Sequence, residues 1–403
     1  MSYIQKGSTR YWRGISALFL GSFVTFALLY CTQPLIPVFS EQFKLTPAYS
    51  SLSISLTTGF LAVSMLMMSW LSDARGRKLI MAISLLSSAI LAVVVAFTNN
   101  FAVLLAVRSL QGIILAGFPA IAMAYINEEF DPTVTGLVMG IYVSGSSIGG
   151  LAGRIIVSTL TDFFSWHTAL AGLGLICVLV SIWFWFRLPD SEHFLPEKRL
   201  IKEMIPALSR NLHQSTLLSL NVIGFLIMGG FVTLYNYIGY SLMSAPYNLS
   251  QMVVGCIFFV YLVGTFSSTY MGRLADQIGS SKVLCLSIGI MLSGCLITLN
   301  GNLYVKILGV AVLTYGFFGS HSVASSWVGK CAVSDKAQAS SLYLLFYYLG
   351  ASVIGATGGK FLSWYAWNGV VLLISISLVV ALFLAVVLFI KHARYKVCRA
   401  NES

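Results

Sequence analysis

Apolar stretches about as long as a bilayer is thick follow one another along this chain, and they constrain its fold more than any other feature. A helix that crosses the hydrocarbon core needs about 20 predominantly apolar residues. Windows of about 19 residues find twelve such stretches: 15–38, 49–71, 79–97, 101–126, 134–157, 168–187, 215–240, 250–270, 283–299, 303–329, 338–358 and 369–390. Lipid offers the backbone no hydrogen-bond partners, so such stretches fold as helices. The chain is therefore predicted to be an all-α membrane protein with twelve transmembrane helices.

The basic residues indicate how these helices are oriented. The net charge is +11, yet only 9% of the residues are charged and 58% are hydrophobic. If the N-terminus is cytoplasmic, 19 of the 24 Lys and Arg residues fall in cytoplasmic segments, which is the distribution that the positive-inside rule describes. We therefore expect a protein of the cell (inner) membrane with both termini in the cytoplasm, a first helix retained as a signal anchor, and no nucleic-acid partner.

The chain also divides into two related halves. We expect an N-terminal six-helix bundle at 1–187, a charged cytoplasmic linker at 188–214 and a C-terminal six-helix bundle at 215–403. Asp73 follows the second predicted span and Asp276 follows the eighth, in similar surroundings 203 residues apart. Two parallel six-helix halves are typical of transporters that expose a central site to each side of the membrane in turn.

The turn after the second span carries the most specific motif, Leu71-Ser72-Asp73-Ala74-Arg75-Gly76-Arg77-Lys78. Glycine permits a tight reversal, and a carboxylate such as that of Asp73 can face the positive N-terminus of a neighbouring helix. The segment resembles the loop signature of the major facilitator superfamily, G-x-L-a-D-r-x-G-r-k, although Ser69 and Ala74 depart from it. The resemblance extends over essentially the whole chain. It implies two pseudo-symmetric six-helix bundles and a conformational latch, formed by Asp73, Gly76, Arg77, Lys78, Glu128, Glu129 and Asp276.

In that latch, Arg77 would pair with Glu128 or with Glu129 at the end of the fourth span. The alternative interpretation is a solvated basic turn that only fixes topology. The fourth span itself carries Arg108-Ser109-Leu110-Gln111-Gly112, similar to a second motif of the family. Arginine within a span usually faces an aqueous cavity or a paired partner. Arg108 could instead extend to the outer interface.

The fifth span is rich in glycine. Gly145, Gly149 and Gly153 share one helix face, and small residues at this spacing let a second helix approach closely. The segment Gly145-Ser146-Ser147-Ile148-Gly149-Gly150 resembles the antiporter signature G-P-x-x-G-G, with Ser146 in place of proline. Helix packing and control of leak both remain open as explanations. The same segment matches G-x-S-x-G, but that hydrolase motif needs a strand-to-helix elbow, so we expect no enzyme activity.

No cofactor is expected, because the sequence contains no G-x-x-x-x-G-K-[ST] loop that could bind ATP. The seven cysteines form no C-x-x-C pair, so no metal site is expected either. Transport would then run on an ion gradient or on the gradient of the substrate itself.

Residues for a substrate cavity follow from the resemblance, since spans one, four, seven and ten line the cavity in that family. The candidates among the polar and aromatic residues of those spans are Tyr30, Gln33, Arg108, Gln111, Asn221, Tyr235, Asn236, Tyr240, Tyr315 and His321. Aromatic faces with few polar groups suit amphipathic or cationic organic compounds. The tyrosines between 235 and 240 could equally belong to an interfacial belt.

The leading hypothesis is a proton-coupled efflux transporter of drugs or sugars, similar to the YnfM-like bacterial branch of the family. Its partners would be a small-molecule substrate, protons and the lipid bilayer, and we expect a monomer. The proton would be carried by His321, since imidazole titrates near neutral pH, or by Asp73 with Glu128 or Glu129. A structural histidine is the third possibility. The rival functions are a symporter or facilitator for uptake and, from another class, a membrane sensor or lipid-modifying protein.

Overall fold

The computed structural model describes residues 3–194, 209–331 and 336–401, with side chains described except at 69–70, 73–75, 336–337 and 392–401. The described part is almost entirely helical. Its helices are α1 (Thr9–Tyr30), α2 (Ile36–Phe43), α3 (Pro47–Arg75), α4 (Arg77–Ala96), α5 (Phe101–Leu115), α6 (Pro119–Glu129), α7 (Thr135–Phe163), α8 (Trp166–Arg187), α9 (Ser215–Met243), α10 (Gln251–Gly255), α11 (Tyr261–Ile278), α12 (Ser280–Ile297), α13 (Leu303–Cys331) and α14 (Lys336–Asn401). Short 3₁₀ helices lie at Gln33–Leu35 and Cys256–Val260.

The number of membrane crossings agrees with the prediction. Within the described residues, 11 helical stretches are long and apolar enough to span a bilayer, and the last of them runs from Gln338 to Lys391 over 54 residues. Its backbone leaves the helical region at Tyr365 and Ala366, so this stretch makes two crossings. The all-α membrane fold with twelve transmembrane segments is therefore confirmed.

Three spans that the hydropathy windows treat as continuous are interrupted. The first breaks after Tyr30 into the 3₁₀ turn and α2, and the fourth breaks between Leu115 and Pro119. Proline lacks the amide that continues a helix, and the sequence has Pro34 and Pro37 at the first break and Pro119 at the second. The eighth span changes to a 3₁₀ helix at Cys256–Val260, where no proline signals the change.

The chain forms two compact units. Unit 1 comprises Met1–Leu45, Ser50–Ile201 and Asn248–Phe258, and unit 2 comprises Thr46–Tyr49, Lys202–Tyr247 and Phe259–Ser403. Within unit 1, α1 packs against α7 and α4 against α8; within unit 2, α9 packs against α14 and α12 against α13. The bundles at 1–187 and 215–403 and the linker between them stay predictions, and residues 195–208 of that linker lie outside the described residues.

The glycines of α7 form the contact with α1. A Cβ atom added to Gly145 or Gly149 would collide with the backbone of α1, and one added to Gly153 would lie 2.7 Å from the Cα atom of Ala27. Gly136 and Gly140, on the same helix, have no atom within 4 Å of such a Cβ. The small residues therefore act where the two helix backbones meet, which is the packing arrangement that membrane helices use.

The turns after the second and eighth spans have the same backbone shape. Gly76 has φ 100° and ψ 146°, and Gly279 has φ 99° and ψ 140°. Side-chain-bearing residues rarely adopt this region, so glycine is needed at both turns. The two residues are 203 positions apart, the same separation as Asp73 and Asp276. The sequence repeat thus corresponds to a repeated turn.

Candidate functional site

A bidentate ion pair joins Arg77, which follows the turn between α3 and α4, to Glu128 at the end of α6. Arg77 donates from Nε to Oε2 of Glu128 at 3.0 Å and from Nη2 to Oε1 at 2.7 Å. Its Nη1 donates to the hydroxyl of Ser72 at 3.1 Å. Arg77 is buried, and a bidentate guanidinium–carboxylate pair fixes both distance and orientation. The end of α6 is therefore held against the start of α4. The side chain of Asp73 lies outside the described residues, so its latch role stays a prediction.

The segment after α8, residues 188–194, docks on the same turn. Lys78 pairs with Asp190 at 2.8 Å, and the guanidinium of Arg77 lies 5.3 Å from the ring centre of Phe194. Glu129 accepts from the backbone amide of His193 at 2.9 Å and lies 3.2 Å from its Nδ1. The Glu129 side chain is only 1% exposed. The acidic end of α6 thus uses its two glutamates differently, since Glu128 holds Arg77 and Glu129 holds His193.

The corresponding region of unit 2 is more open. Asp276 pairs with Lys330 at 3.0 Å, with side-chain exposures of 71% and 56%. Exposed ion pairs of this kind contribute little to stability. The two repeated turns therefore share a backbone shape but differ in the strength of their contacts.

Arg108 lies completely inside unit 1. It is 1% exposed and donates to the carbonyl oxygens of Leu28, Leu29 and Ser53 at 2.9, 2.8 and 3.1 Å. A further bond of 2.6 Å reaches Oε1 of Gln111, whose own amide donates to the carbonyl of Ser88 at 2.8 Å. The carbonyls of the last turn of a helix lack partners within it. Arg108 therefore caps the end of α1 and ties it to α3.

A second buried arginine gathers two of the predicted cavity residues. Arg154 is 2% exposed; its Nε donates to Oε1 of Gln33 at 2.7 Å and its Nη1 to the carbonyl of Gly150 at 2.6 Å. Its guanidinium carbon lies 4.1 Å from the ring centre of Tyr30 and 4.9 Å from that of Phe258. Contacts of a cation with aromatic faces at these distances are attractive. Two predicted cavity residues, Tyr30 and Gln33, therefore both contact the guanidinium of Arg154.

Unit 2 contains an aromatic cluster around His321. The imidazole ring is half-buried and its Nδ1 lies 3.0 Å from the hydroxyl of Tyr343. Its faces lie against Tyr347 at 4.5 Å and Phe317 at 6.1 Å between ring centres. Phe317 in turn stacks on Phe231 of α9 at 3.7 Å. Three helices of unit 2 thus contribute rings to one stack.

The other predicted cavity residues of unit 2 are distributed along α9 and α13. Asn221, Tyr235 and Asn236 are buried, whereas Tyr240 and Tyr315 are half-buried. Tyr235 shares a hydrogen bond of 2.8 Å with the hydroxyl of Thr314. Whether these residues bind substrate stays a prediction.

Sequence reasoning missed four contributors to these contacts. Arg154 is absent from the predicted cavity residues, although its position within the fifth span, four residues after Gly150, was a usable signal. Tyr343 and Tyr347 lie in the eleventh span, which was not considered for the cavity. Nothing in the sequence indicated that His193 would contact Glu129, because the two residues are 64 positions apart.

Comparison with known proteins identifies a family and several relatives of this chain. The sequence profile described as Major Facilitator Superfamily matches residues 18–263 and 220–402. The chain is 47% identical over 385 residues to the MFS-type transporter YybF of Bacillus subtilis (strain 168), covering 96% of this chain and 95% of YybF. It is 43% identical over 380 residues to the inner membrane transport protein YnfM of Escherichia coli (strain K12), covering 94% and 91%. It is 28% identical over 287 residues to the multidrug resistance protein MdtG of Proteus mirabilis (strain HI4320), covering 68% and 69%.

Solved structures share the fold at lower identity. A bacterial homologue of the human lysosomal transporter Spinster superposes with a TM-score of 0.72 at 15% identity, covering 97% of each chain. The nucleoside transporter NupG superposes with a TM-score of 0.73 at 18% identity, covering 93% of this chain and 99% of NupG. At these identities the likeness concerns the fold alone.

Proposed function

The chain belongs to the Major Facilitator Superfamily, and from that premise we propose that it exports small organic compounds, drugs or sugars among them, in exchange for protons. As a member of this family it is a multi-pass membrane transporter that binds small-molecule substrates, and it is not an enzyme. The similarity to YnfM supports the assignment to a YnfM-like branch. The similarity to MdtG, a multidrug resistance protein at 28% identity, supports the outward direction of transport.

The observation that carries the proposal of proton coupling is the position of His321. It lies eighteen residues after the start of α13 and ten before its end, whereas the carboxylate residues within 3–194, 209–331 and 336–401 lie near helix ends or in connections. Imidazole is the side chain whose unperturbed pKa is nearest to neutral, which is the property that makes a histidine within a span a candidate proton carrier. The rival relay at the turn of unit 1 is weakened by geometry, because Glu128 is engaged by Arg77 and Glu129 by His193.

The aromatic cluster of unit 2 supports a substrate with a planar or cationic group. Rings on α9, α13 and α14 lie within stacking distance of one another, and the half-buried residues His321 and Tyr347 form one end of the stack. A flat ligand gains from stacking, and a cation gains from the ring faces. In this proposal, transport needs no cofactor, and the transporter works as a monomer in the cell membrane with both termini in the cytoplasm.

The test begins with a growth screen that compares a deletion strain and an overexpressing strain against a panel of compounds, in order to find a transported substrate. Purified protein is then reconstituted into liposomes with an imposed pH gradient. His321→Gln keeps a hydrogen-bonding side chain but cannot be protonated. We expect this variant to lose pH-driven accumulation while it keeps counterflow exchange of labelled substrate.

The matched control is His167→Gln, because His167 lies at the start of α8 and its Nδ1 contacts the carbonyl of Ala96. This variant should retain pH-driven accumulation. Wild-type accumulation by His321→Gln would eliminate the coupling role and direct attention to the carboxylates of the turn.

A further inference from the structure

The hydrogen bond between His321 and Tyr343 determines which nitrogen of the imidazole carries the proton. The hydroxyl of Tyr343 is 3.0 Å from Nδ1, and within the described residues no other hydrogen bond is seen for either side chain. Tyr343 is 1% exposed. Its hydroxyl proton therefore has no second protein acceptor within reach in the described part of the chain.

Two arrangements of this bond are possible, and they differ in whether the hydroxyl proton of Tyr343 has an acceptor. If Tyr343 donates to Nδ1, the phenol proton is used and the imidazole carries its own proton on Nε2. If Nδ1–H donates to the phenol oxygen, the phenol proton is buried without an acceptor. Leaving a buried donor unpaired is more costly than the gain from one neutral hydrogen bond. The first arrangement is therefore favoured, and the ring is neutral with hydrogen on Nε2.

The surroundings of His321 do not reverse this preference. The titratable groups that face it are Tyr343 and Tyr347 of α14, while Phe317 of its own helix and Phe231 beyond it supply apolar ring faces. No carboxylate, ammonium or guanidinium among residues 3–194, 209–331 and 336–401 forms an ion pair or hydrogen bond with the imidazole. Hence no neighbouring charge in that part of the chain favours the imidazolium form.

We propose that Tyr343 is a positioning residue, which holds His321 as the neutral tautomer with its proton on Nε2. The inference rests on the proposed coupling role of His321 and adds the group that sets its protonation. Proton uptake then requires the Tyr343 hydroxyl to turn away from Nδ1, so that Nδ1 can accept the incoming proton. A movement of α14 relative to α13 that separates the two side chains would thereby make His321 ready to bind a proton.

The tautomer can be measured directly in protein labelled with ¹³C,¹⁵N-histidine. The chain has five histidines, and the signals that disappear in His321→Gln identify His321. At pH 8 we expect the wild type to show a protonated Nε2 and a bare Nδ1. Tyr343→Phe keeps the ring that packs against Gly224 but removes the donor, so the selection of one tautomer should be lost. A protonated Nδ1 in the wild type would overturn the inference.

The functional consequence is a shift in the pH dependence of transport. Removing a donor that stabilises the neutral imidazole favours the charged form, so Tyr343→Phe should move the midpoint of the pH–rate profile upward by about half a unit or more. Tyr304→Phe is the matched control, because Tyr304 lies on the same helix as His321 but is 81% exposed near its start, so the change removes a phenol hydroxyl without altering the bond to Nδ1. It should leave the midpoint unchanged.

The two measurements separate the two proposals. If the expected tautomer is found but neither His321→Gln nor Tyr343→Phe changes the pH dependence, the coupling function fails and the role of Tyr343 in setting the tautomer stands. If His321→Gln abolishes pH-driven accumulation but Tyr343→Phe shows wild-type tautomer selection and an unchanged midpoint, the positioning role is refuted and the coupling function stands.

Discussion

Replacing Arg108 by lysine distinguishes a structural bridge from a substrate-binding arginine. The guanidinium reaches four oxygen acceptors at 2.6 to 3.1 Å, on α1, α3 and its own helix. A lysine keeps the positive charge but carries its three N–H donors on one nitrogen, whereas the four bonds of Arg108 leave from three separate nitrogens, so we expect about two of the four to be lost. Each hydrogen bond to a charged group contributes about 1.5 to 3 kcal/mol, and the loss of two predicts a destabilisation of about 3 kcal/mol or more.

The assay is the thermal unfolding of the purified protein in detergent, followed together with substrate affinity. A destabilisation of this size lowers the melting temperature by at least about 6 °C in a domain of comparable size. The control is Arg273→Lys, since Arg273 is exposed on α11 and should change neither quantity. If Arg108→Lys has the wild-type melting temperature and binds substrate more weakly, Arg108 faces the substrate and the bridging role is refuted.

Three further outcomes are expected. Asp73→Asn should lower the turnover rate with nearly unchanged substrate affinity, because a carboxylate at a helix end biases the conformational equilibrium; equal turnover at equal expression would leave the turn a determinant of topology only. Gly149→Ala should destabilise the protein by about 1 to 3 kcal/mol in thermal unfolding, because the added Cβ collides with the backbone of α1. The control Gly140→Ala should have little effect, and equal stability of the two variants would contradict the close contact between α1 and α7. A cysteine at Glu197 should resist an impermeant reagent applied to sealed cells while a cysteine at Asn302 reacts; ready labelling at 197 would reverse the predicted orientation.

The fold was predictable because the physical rule behind it is local. Span length and composition alone determine that twelve segments can cross a bilayer, and the resemblance at Gly76 and Arg77 identified the family that the comparisons established. The repeated turn could also be predicted from the sequence, because glycine recurs at positions 76 and 279, where the backbone has a positive φ.

The interruptions of the spans and the contacts of the candidate site were harder to predict from the sequence. Hydropathy measures transfer to lipid and does not register where a backbone changes from α to 3₁₀, as it does at Cys256–Val260. Arg108 and Arg154 both lie within apolar stretches, and only the packing of α1, α3 and α7 determines that they meet carbonyls, Gln33 and an aromatic ring. The bond between His321 and Tyr343 joins residues on different helices, so no periodicity along the sequence could indicate it.

Transport by everted membrane vesicles tests the central claim most directly, because the cytoplasmic face of the transporter is then outside. Vesicles that contain the protein are energised by respiration, and uptake of the labelled substrate from the growth screen is followed with and without a protonophore. Proton-coupled export predicts that the vesicles accumulate substrate on energisation and release it when the protonophore collapses the gradient. Loss of preloaded substrate on energisation would show uptake in the cell, and accumulation that the protonophore does not affect would show that protons are not the coupling ion.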